Sequence, residues 1–503
     1  MNGQPATATP IRFLYRGQVQ MVEGVAATTT VLEWLRLSQR ALGTKEGCNE
    51  GDCGACTVVI GSLDPAAPGG VALRSVNACI HLLAMLDGRL LLTVEDLADP
   101  VEGLHPVQQA MVECHGAQCG FCTPGFVMSL FHLYENQPTL PDHAGLCHAL
   151  AGNLCRCTGY RPILAAAQAA WQAPARRRDR TPWRAALTAL AAHPALDYQA
   201  PASAGGGRVQ APRSLAALGA ALQADPAARV LAGATDIGLW ITKLGRSLPH
   251  LVHLDRVAEL QVLEVRDGCL HIGAAVTHAR AWPALQAFYP EVADLARRFA
   301  SPTVCHAGTL VGNVANGSPI GDAMPLLLAL DARLELQCGA DVRIVPLAAF
   351  YLGYQRTVLT AGEFVRSVLV PVPVPVPVRS RLACYKVSKR FDQDITAVCA
   401  AFRLDLDAGG RIIQARLAWG GMAAIPLRTP GAEAVLEGQD WSEATCARAQ
   451  VALLTELTPM SDLRASAAYR REVAGNLLQR FWYETSTGIG TPPVRLDQVE
   501  ASP

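Results

Sequence analysis

The sequence predicts an α+β, multidomain chain, and three observations carry that expectation. At 503 residues and ~150 residues per domain, the length suggests about three domains. Ten of the 16 cysteines fall before residue 160, so the chain is chemically uneven. Strand-like and helix-like apolar patterns share most of its length, and a shift to Ala, Pro, Arg and Gly at 172–207 interrupts them.

Composition sets the outer limits. Half the residues are hydrophobic, and 43 Lys and Arg balance 43 Asp and Glu. Zero net charge gives no footprint for nucleic acid or an anionic membrane surface. The basic run Arg176, Arg177, Arg178, with Arg180 and Arg184, reads as a solvated linker. No stretch reaches the ~18 uninterrupted apolar residues of a membrane span. Met1 to Pro5 has neither the basic start nor the apolar core of a signal peptide. A cytoplasmic protein without membrane or nucleic-acid partners is expected. Its thiols would be kept reduced, so disulfides do not explain the cysteines.

The elements follow in order. Residues 9–92 read as a small mixed unit. Ile11 to Tyr15 and Gly17 to Met21 form strands around a tight turn, Thr30 to Arg36 is a capped amphipathic helix, and Thr57 to Ile60 is a strand. Residues 93–172 read as helical, over Pro106 to Cys114, Pro124 to Glu135, Asp142 to Leu150 and Pro162 to Trp171. Three of these open on proline, which suits a first helical turn. Residues 173–207 form a linker, with a helix at 183–192. A further unit at 208–378 alternates strand and helix. In the run Val370 to Pro377 each proline lacks a donor, so it is an extended connector rather than a central strand. Residues 379–490 form a last α+β unit, with strands near 383–388, 398–405 and 412–419 and helices near 442–455 and 461–483. A tail follows at 491–503.

Cys48, Cys53 and Cys56 have the spacing C-x4-C-x2-C, with Cys79 further on. This is the ligand pattern of a plant-type ferredoxin 2Fe-2S cluster. The loop between them is rich in Gly and small residues, which lets backbone N–H groups approach sulfur. Zinc and a redox-active pair are the alternatives, but zinc usually takes paired knuckles, and here the second half is one cysteine. Cys119 with Cys122, and Cys155 with Cys157, offer four more thiolates at helix starts. Cys114, Cys119 and Cys122 repeat the C-x4-C-x2-C spacing, and Cys147 is another candidate, so spacing leaves this second set open. Cys269, Cys305, Cys338, Cys384, Cys399 and Cys446 are scattered singly and read as small buried hydrophobes.

Two later segments are candidate ligand turns. Val230-Leu231-Ala232-Gly233-Ala234-Thr235-Asp236-Ile237 is a strand entering a small-residue turn and a helix. Backbone N–H groups there can cradle a pyrophosphate, and Thr235 or Asp236 could cap the helix. Gly308 to Asp322 is too polar and Gly-rich for a core element and reads as a loop, binding or plain. Neither contains G-x-G-x-x-G, so no Rossmann fold is indicated.

These residues together resemble one family. Lys45 to Thr57, Gln118-Cys119-Gly120-Phe121-Cys122-Thr123-Pro124-Gly125 and Gly152 to Pro162 look like the two cluster motifs of molybdenum hydroxylases. The resemblance implies a β-grasp ferredoxin domain and a four-helix bundle cluster domain. Beyond them it implies an FAD domain of the vanillyl-alcohol-oxidase type and a C-terminal α+β flavoprotein domain. It assigns one 2Fe-2S cluster to Cys48, Cys53, Cys56 and Cys79, and a second to Cys119, Cys122, Cys155 and Cys157, with no ligand role for Cys114 or Cys147. Gln118 and Cys157 are placed near a molybdopterin on the partner chain. FAD contacts are implied from Val230 to Ile237 and from Thr309, Gly312, Asn313, Ser318 and Asp322, with Phe299, Val365 and Lys386. Lys386 to Ile395 resembles the loop beside the flavin where a nicotinamide cofactor enters.

The implied function is electron transfer from molybdopterin on a large partner subunit through both clusters to FAD and then NAD+, with two copies of each chain. No hydroxylating residue lies on this chain. Clusters and flavin in one chain are similar to the small subunit of bacterial xanthine dehydrogenases, which oxidise hypoxanthine and xanthine. Related members act on aldehydes or N-heterocycles, and a free-standing iron–sulfur flavoprotein reductase is the other alternative.

Overall fold

The computed structural model describes residues 9–373 and 379–486. Pro375 and Pro377 of the proline run, and the tail 491–503, lie outside the described residues.

The first unit is a five-stranded sheet in the order Gln18–Val22, Ile11–Tyr15, Leu90–Leu92, Thr57–Leu63, Val71–Asn77, with Ile11–Tyr15 parallel to Leu90–Leu92. Period-two alternation gives this sheet two apolar faces. Ile11, Phe13, Tyr15, Val58 and Ile60 point one way, into a core that continues through Leu196, Tyr198, Val209, Leu231 and Leu251. Leu14, Val59, Leu73 and Leu92 point the other way, onto the helical unit through Phe126, Leu130 and Ile163. A sheet buried on both faces cannot leave its neighbours free, so the cluster-loop unit is fixed against both the helices and the following sheet.

Thr30 caps its helix as expected. The Glu33 N–H donates to Thr30 Oγ1 at 3.1 Å, and the Thr30 N–H donates to Glu33 Oε2 at 2.8 Å. The helix Val31–Glu33 then widens into a π-turn, Trp34–Ser38. The four expected helices of the second unit are Pro106–Glu113, Thr123–Asn136, His143–Leu150 and Arg161–Gln172.

Three expectations are corrected. The segment 173–207 is not a plain spacer. Besides the expected helix, found at Thr181–Ala191, it contains the strand Leu196–Gln199, which joins the sheet Leu196–Gln199, Arg208–Ala211, His250–His253, Arg229–Leu231. The basic run is a strap rather than a solvated stretch. Arg176 donates to the Glu102 and Leu104 carbonyls, Arg177 to those of Tyr134 and Gln137, and Arg178 to that of Leu97. Second, Leu310–Asn316, read as loop, is a helix. Thr309 caps it by accepting from the Gly312 N–H at 3.0 Å, and Leu310, Val311 and Val314 bury its inner face. Third, the central strand Phe364–Pro371 takes in Val370 and Pro371. Pro371 ends the strand, where its missing donor costs little, and its carbonyl accepts from the Tyr289 hydroxyl at 2.5 Å.

The flavin-like region has an antiparallel sheet, Leu263–Arg266, Cys269–Gly273, Phe364–Pro371, Arg333–Cys338, Asp341–Pro346. The last unit is a four-stranded antiparallel sheet, Arg379–Val387, Val398–Leu406, Ile412–Gly420, Leu427–Arg428. It too has two faces. Cys384, Cys399 and Ala401 join the flavin-region core, while Tyr385, Phe402 and Trp419 face helices Pro430–Leu436, Glu443–Glu456 and Ala467–Thr485. Among the described residues no helix is long and apolar enough to cross a membrane.

Arg180 gives the strap its buried anchor. Its guanidinium donates to the Val71 carbonyl at 2.8 Å and the Glu135 carbonyl at 2.6 Å, and stands 3.8 Å from the Glu135 carboxylate, whose side chain is 0% exposed. Removing one partner of a buried pair strands the other charge, at a cost of about 3–5 kcal/mol. Arg180→Leu should lower stability by that amount in urea unfolding, whereas Arg184→Ala should change it by less than about 0.5 kcal/mol.

Candidate functional site

The first thiol set sits where the loop 47–56 meets the end of strand Val71–Asn77. Asn49, Gly51 and Gly54 take positive φ, which coils the loop. The coil aims N–H groups inward: Cys48 N–H donates to Cys53 Sγ at 3.3 Å, and Asp52 and Cys53 N–H donate to Cys48 Sγ at 3.4 and 3.3 Å. Cys48 is lowered to about 5, first by the Cys53 thiol bonded to it and then by the N–H groups of Cys53, Glu50 and Asp52 against its burial. Buried Cys56 is lowered too, chiefly by bonding from Cys79. The four thiols therefore stand as two pairs, and in each pair one sulfur, Cys48 or Cys56, is pushed toward thiolate while its partner, Cys53 or Cys79, is pushed up by that bond and by burial. Both amide atoms of buried Asn77, two residues before Cys79, lack a hydrogen-bond partner among the described residues. That orphaned amide fits a site built for a group that accepts hydrogen bonds, as cluster sulfur does.

The second set shows the same pairing. Cys119 Sγ lies 3.5 Å from Cys157 Sγ, and Cys122 bonds with Cys155. Thr158 Oγ1 stands 3.3 Å from Cys155 Sγ. Cys122 is the N-cap of helix Thr123–Asn136 but makes no side-chain cap, and burial with the Cys155 thiol pushes its own thiol up to about 12. Cys114 instead ends helix Pro106–Glu113, and Cys147 pairs with His143 at 3.6 Å. Cys119, Cys157 and Gln118 are exposed, beside exposed Phe121, Leu154 and Tyr160. Among the described residues no three His, Cys, Asp or Glu side chains gather around a single-ion position. Two separated thiol pairs suit two irons better than one tetrahedral ion.

The two loops touch. Leu154 N–H donates to the Cys53 carbonyl at 3.0 Å, and Asn153 Nδ2 donates to the Gly54 carbonyl at 3.1 Å. Ser129 Oγ holds Asn153 Oδ1 at 2.6 Å. A Cβ at Gly54 would fall 2.1 Å from the Gly152 carbonyl oxygen, so only glycine permits this approach. Sequence reading missed Asn153, Ser129 and Asn77. Asn153 lies inside a quoted motif, but nothing local shows that its partner is a hundred residues away.

The third site joins the two candidate turns. At Gly233 a Cβ would fall 1.9 Å from the Ala307 carbonyl oxygen, so the segments 230–237 and 308–322 meet backbone to backbone. Ala234 takes φ +59, and the N–H groups of Gly233, Ala234, Thr235 and Asp236 donate to no group among the described residues. Successive inward N–H groups around a left-handed residue form an anion nest. Asp236 is the N-cap of helix Ile237–Thr242 but makes no side-chain cap, and Thr235 makes none either. Their capping role is not seen, and the Gly238 and Leu239 N–H groups donate instead to the Ala234 and Asp236 carbonyls at 2.7 and 2.9 Å. Asn313 Oδ1, on the facing helix, is buried without a hydrogen-bond partner among the described residues. These features fit FAD.

The remaining implied flavin residues form a second group. Lys386 Nζ donates to Asp322 Oδ2 at 2.7 Å and to the carbonyls of Arg298 and Phe299 at 2.9 and 3.4 Å, while Thr396 Oγ1 donates to Asp322 Oδ1 at 2.5 Å. Phe299 packs on His278 and Trp282, with ring centroids 4.3 and 5.4 Å apart. Ser318 turns the chain, accepting from the Gly321 N–H at 3.0 Å. Val365 is buried in the core opposite Leu336. The 388–395 loop is pinned: Phe391 lies under the Arg298 guanidinium at 4.4 Å, and Gln393 donates to the Ala151 carbonyl of the second cluster unit.

A polar cavity lies between the first cluster unit and the flavin turn, lined by Arg74, His81 and Arg89 on one side and Gly233, His253 and Thr309 on the other. Both ring nitrogens of His81, and Nε2 of His253, lack partners among the described residues.

Four family models match the chain. A 2Fe-2S iron–sulfur cluster binding domain covers 14–83, and a 2Fe-2S binding domain covers 93–168. The FAD binding domain in molybdopterin dehydrogenase covers 203–373, and the CO dehydrogenase flavoprotein C-terminal domain covers 383–485. The chain is 29% identical to xanthine dehydrogenase of Emericella nidulans, over 97% of this chain and 39% of that protein. It is 30% identical to xanthine dehydrogenase of Drosophila subobscura, over 97% of this chain and 40% of that protein. It thus spans about two fifths of the length of these curated relatives. Among solved structures it is similar to carbon monoxide dehydrogenases from Hydrogenophaga pseudoflava and Oligotropha carboxidovorans. Each gives a TM-score of 0.50 at 29% identity, over 54% of this chain and 94% of that chain.

Burial lowers His81 to about 3 and His253 to about 4 from an ordinary 6.5. Between those values and 6.5 only the unfolded chain binds these protons, so stability must fall as pH falls through that window. His81→Leu should flatten the pH dependence of urea unfolding by up to about 1.4 kcal/mol per pH unit between pH 6 and 5.

Proposed function

The chain belongs to the molybdenum hydroxylase family as an iron–sulfur and FAD electron-transfer chain, and we propose that it serves a xanthine dehydrogenase. In this reading a large partner subunit holds molybdopterin, oxidises hypoxanthine and xanthine with oxygen from water, and delivers electrons to this chain. The chain passes them to FAD and then NAD+. Two copies of each chain assemble, in the cytoplasm. The xanthine dehydrogenase relatives match 97% of this chain, which supports that substrate class.

The observation that carries the reading is contact: the second thiol set touches the first through Leu154 and Cys53, and the first touches the helix that follows the flavin turn through Lys243, whose ammonium donates to the Cys48 carbonyl at 2.6 Å. Cys48 with Cys53, and Cys56 with Cys79, would each hold one iron of the first cluster. Cys119 with Cys157, and Cys122 with Cys155, would each hold one iron of the second. FAD, when bound, collects single electrons and releases two together to a nicotinamide acceptor. The chain's own residues supply the rest. The N–H groups of the nest at 233–236, which donate to no group among the described residues, would hold pyrophosphate oxygens. Asn313 offers an acceptor from the facing helix. Asp322, held by Lys386 and Thr396, fixes the last unit against the flavin region. Exposed Gln118, Cys119 and Cys157 place the second site at the surface, where a partner's molybdopterin could approach.

A second reading keeps the same electron path for another substrate, an aldehyde or N-heterocycle. The similarity to carbon monoxide dehydrogenases favours this breadth. Co-expression with a molybdopterin-binding partner chain, followed by xanthine-dependent NAD+ reduction, separates the readings. Turnover with aldehyde or heterocycle but not xanthine selects the second, and failure to associate with any such partner points to a free-standing reductase. Cys53→Ser and Cys157→Ser should each remove a different one of two electron paramagnetic resonance signals and abolish turnover, with FAD retained.

A further inference from the structure

Ile80 stands between two glycines that belong to different sites. On one side lies Gly51 of the first cysteine loop, where a Cβ would fall 2.6 Å from Ile80 Cδ1. On the other lies Gly238, in the helix Ile237–Thr242 that follows the flavin turn. A Cβ there would fall 2.7 Å from Ile80 Cβ, 2.8 Å from its carbonyl oxygen and 3.1 Å from its Cα. Two of those three atoms are backbone, so a side chain at 238 could be accommodated only by moving a helix away from a strand end. Ile80 directly follows Cys79. Gly238 is buried and its N–H donates to the Ala234 carbonyl at 2.7 Å, at the centre of the nest. Lys243, at the end of the same helix, clamps the assembly from outside by bonding the Cys48 carbonyl and standing 3.3 Å from Glu50.

We propose that Gly238 is a positioning residue whose missing side chain lets the Cys79–Ile80 segment press on the flavin helix, and that this contact sets the separation, and hence the rate of electron exchange, between the first cluster and the flavin. The inference rests on the cofactor assignments above. Each transfer takes one electron from a ferrous iron of the cluster, leaving it ferric. Two such transfers, with two protons from solvent, complete flavin reduction. Gly238 touches neither reacting centre; it acts through Ile80. Its φ is not in the left-handed region, so alanine there is conformationally acceptable and improves helix propensity. Loss of function in Gly238→Ala would therefore come from the lost approach and not from a strained backbone.

The test uses the full chain loaded with iron, sulfide and FAD. A substoichiometric one-electron reductant is mixed in, and cluster and flavin absorbance are followed separately in stopped flow. In Gly238→Ala the clusters should reduce as fast as in the unaltered chain and both cofactors should keep their potentials, while flavin reduction slows severalfold. Lys243→Met, a half-exposed change that leaves the core intact, should slow the same step by less. Gly353→Ala, where a Cβ meets nothing within 4 Å, should leave it unchanged. An unchanged flavin step in both Gly238→Ala and Lys243→Met would overturn the proposal. So would loss of FAD from Gly238→Ala, since the residue would then belong to flavin holding and not to spacing. An unaltered chain that took up no iron or no FAD would instead defeat the cofactor assignments, a separate failure.

Discussion

The architecture depends on backbone meeting backbone between the sites. The Leu154 N–H to Cys53 carbonyl bond joins one cysteine loop to the other, and Gly233 against Ala307 closes the two flavin segments. A Cβ at Gly54, beside the first contact, or at Gly233 would fall 2.1 or 1.9 Å from a facing carbonyl oxygen and force the segments apart. The rest of the fold holds those backbones in register. The first sheet is apolar on both faces, so its cysteine loop is fixed from below by the four helices and from above by the flavin-side sheet.

Polar groups complete what packing begins. Arg180 satisfies the carbonyls of Val71 and Glu135 in a buried setting and stands against the buried Glu135 carboxylate. The Lys386–Asp322–Thr396 set does the same between the flavin region and the last sheet. Each is costly if half-made and rigid when whole. Rigidity suits a chain that transfers electrons, because its work is to hold centres at fixed spacing.

Legibility in the sequence followed locality. Cys48, Cys53 and Cys56 lie within nine residues, so their spacing alone suggested a cluster, and Thr30 with Glu33 announced a capped helix that the structure contains. The second cysteine set was ambiguous by spacing, because Cys114 repeats the same interval, and only the wider motif separated them. The 308–322 segment misled because its polar residues suggested a loop, whereas a Thr309 cap and three buried aliphatics are enough for a two-turn helix. Asn153, Arg180, Ile80 and Gly238 were illegible for one reason. Their partners lie far away in the chain, and no local pattern encodes a contact between sheet faces.

The central claim is that two sets of paired thiols hold iron and sulfide, beside a turn that holds FAD. Its most direct test is metal, sulfide and flavin analysis of the chain purified without oxygen. About four irons and four acid-labile sulfides per chain, with one FAD, are expected. Zinc in place of iron, or iron without sulfide, would contradict it.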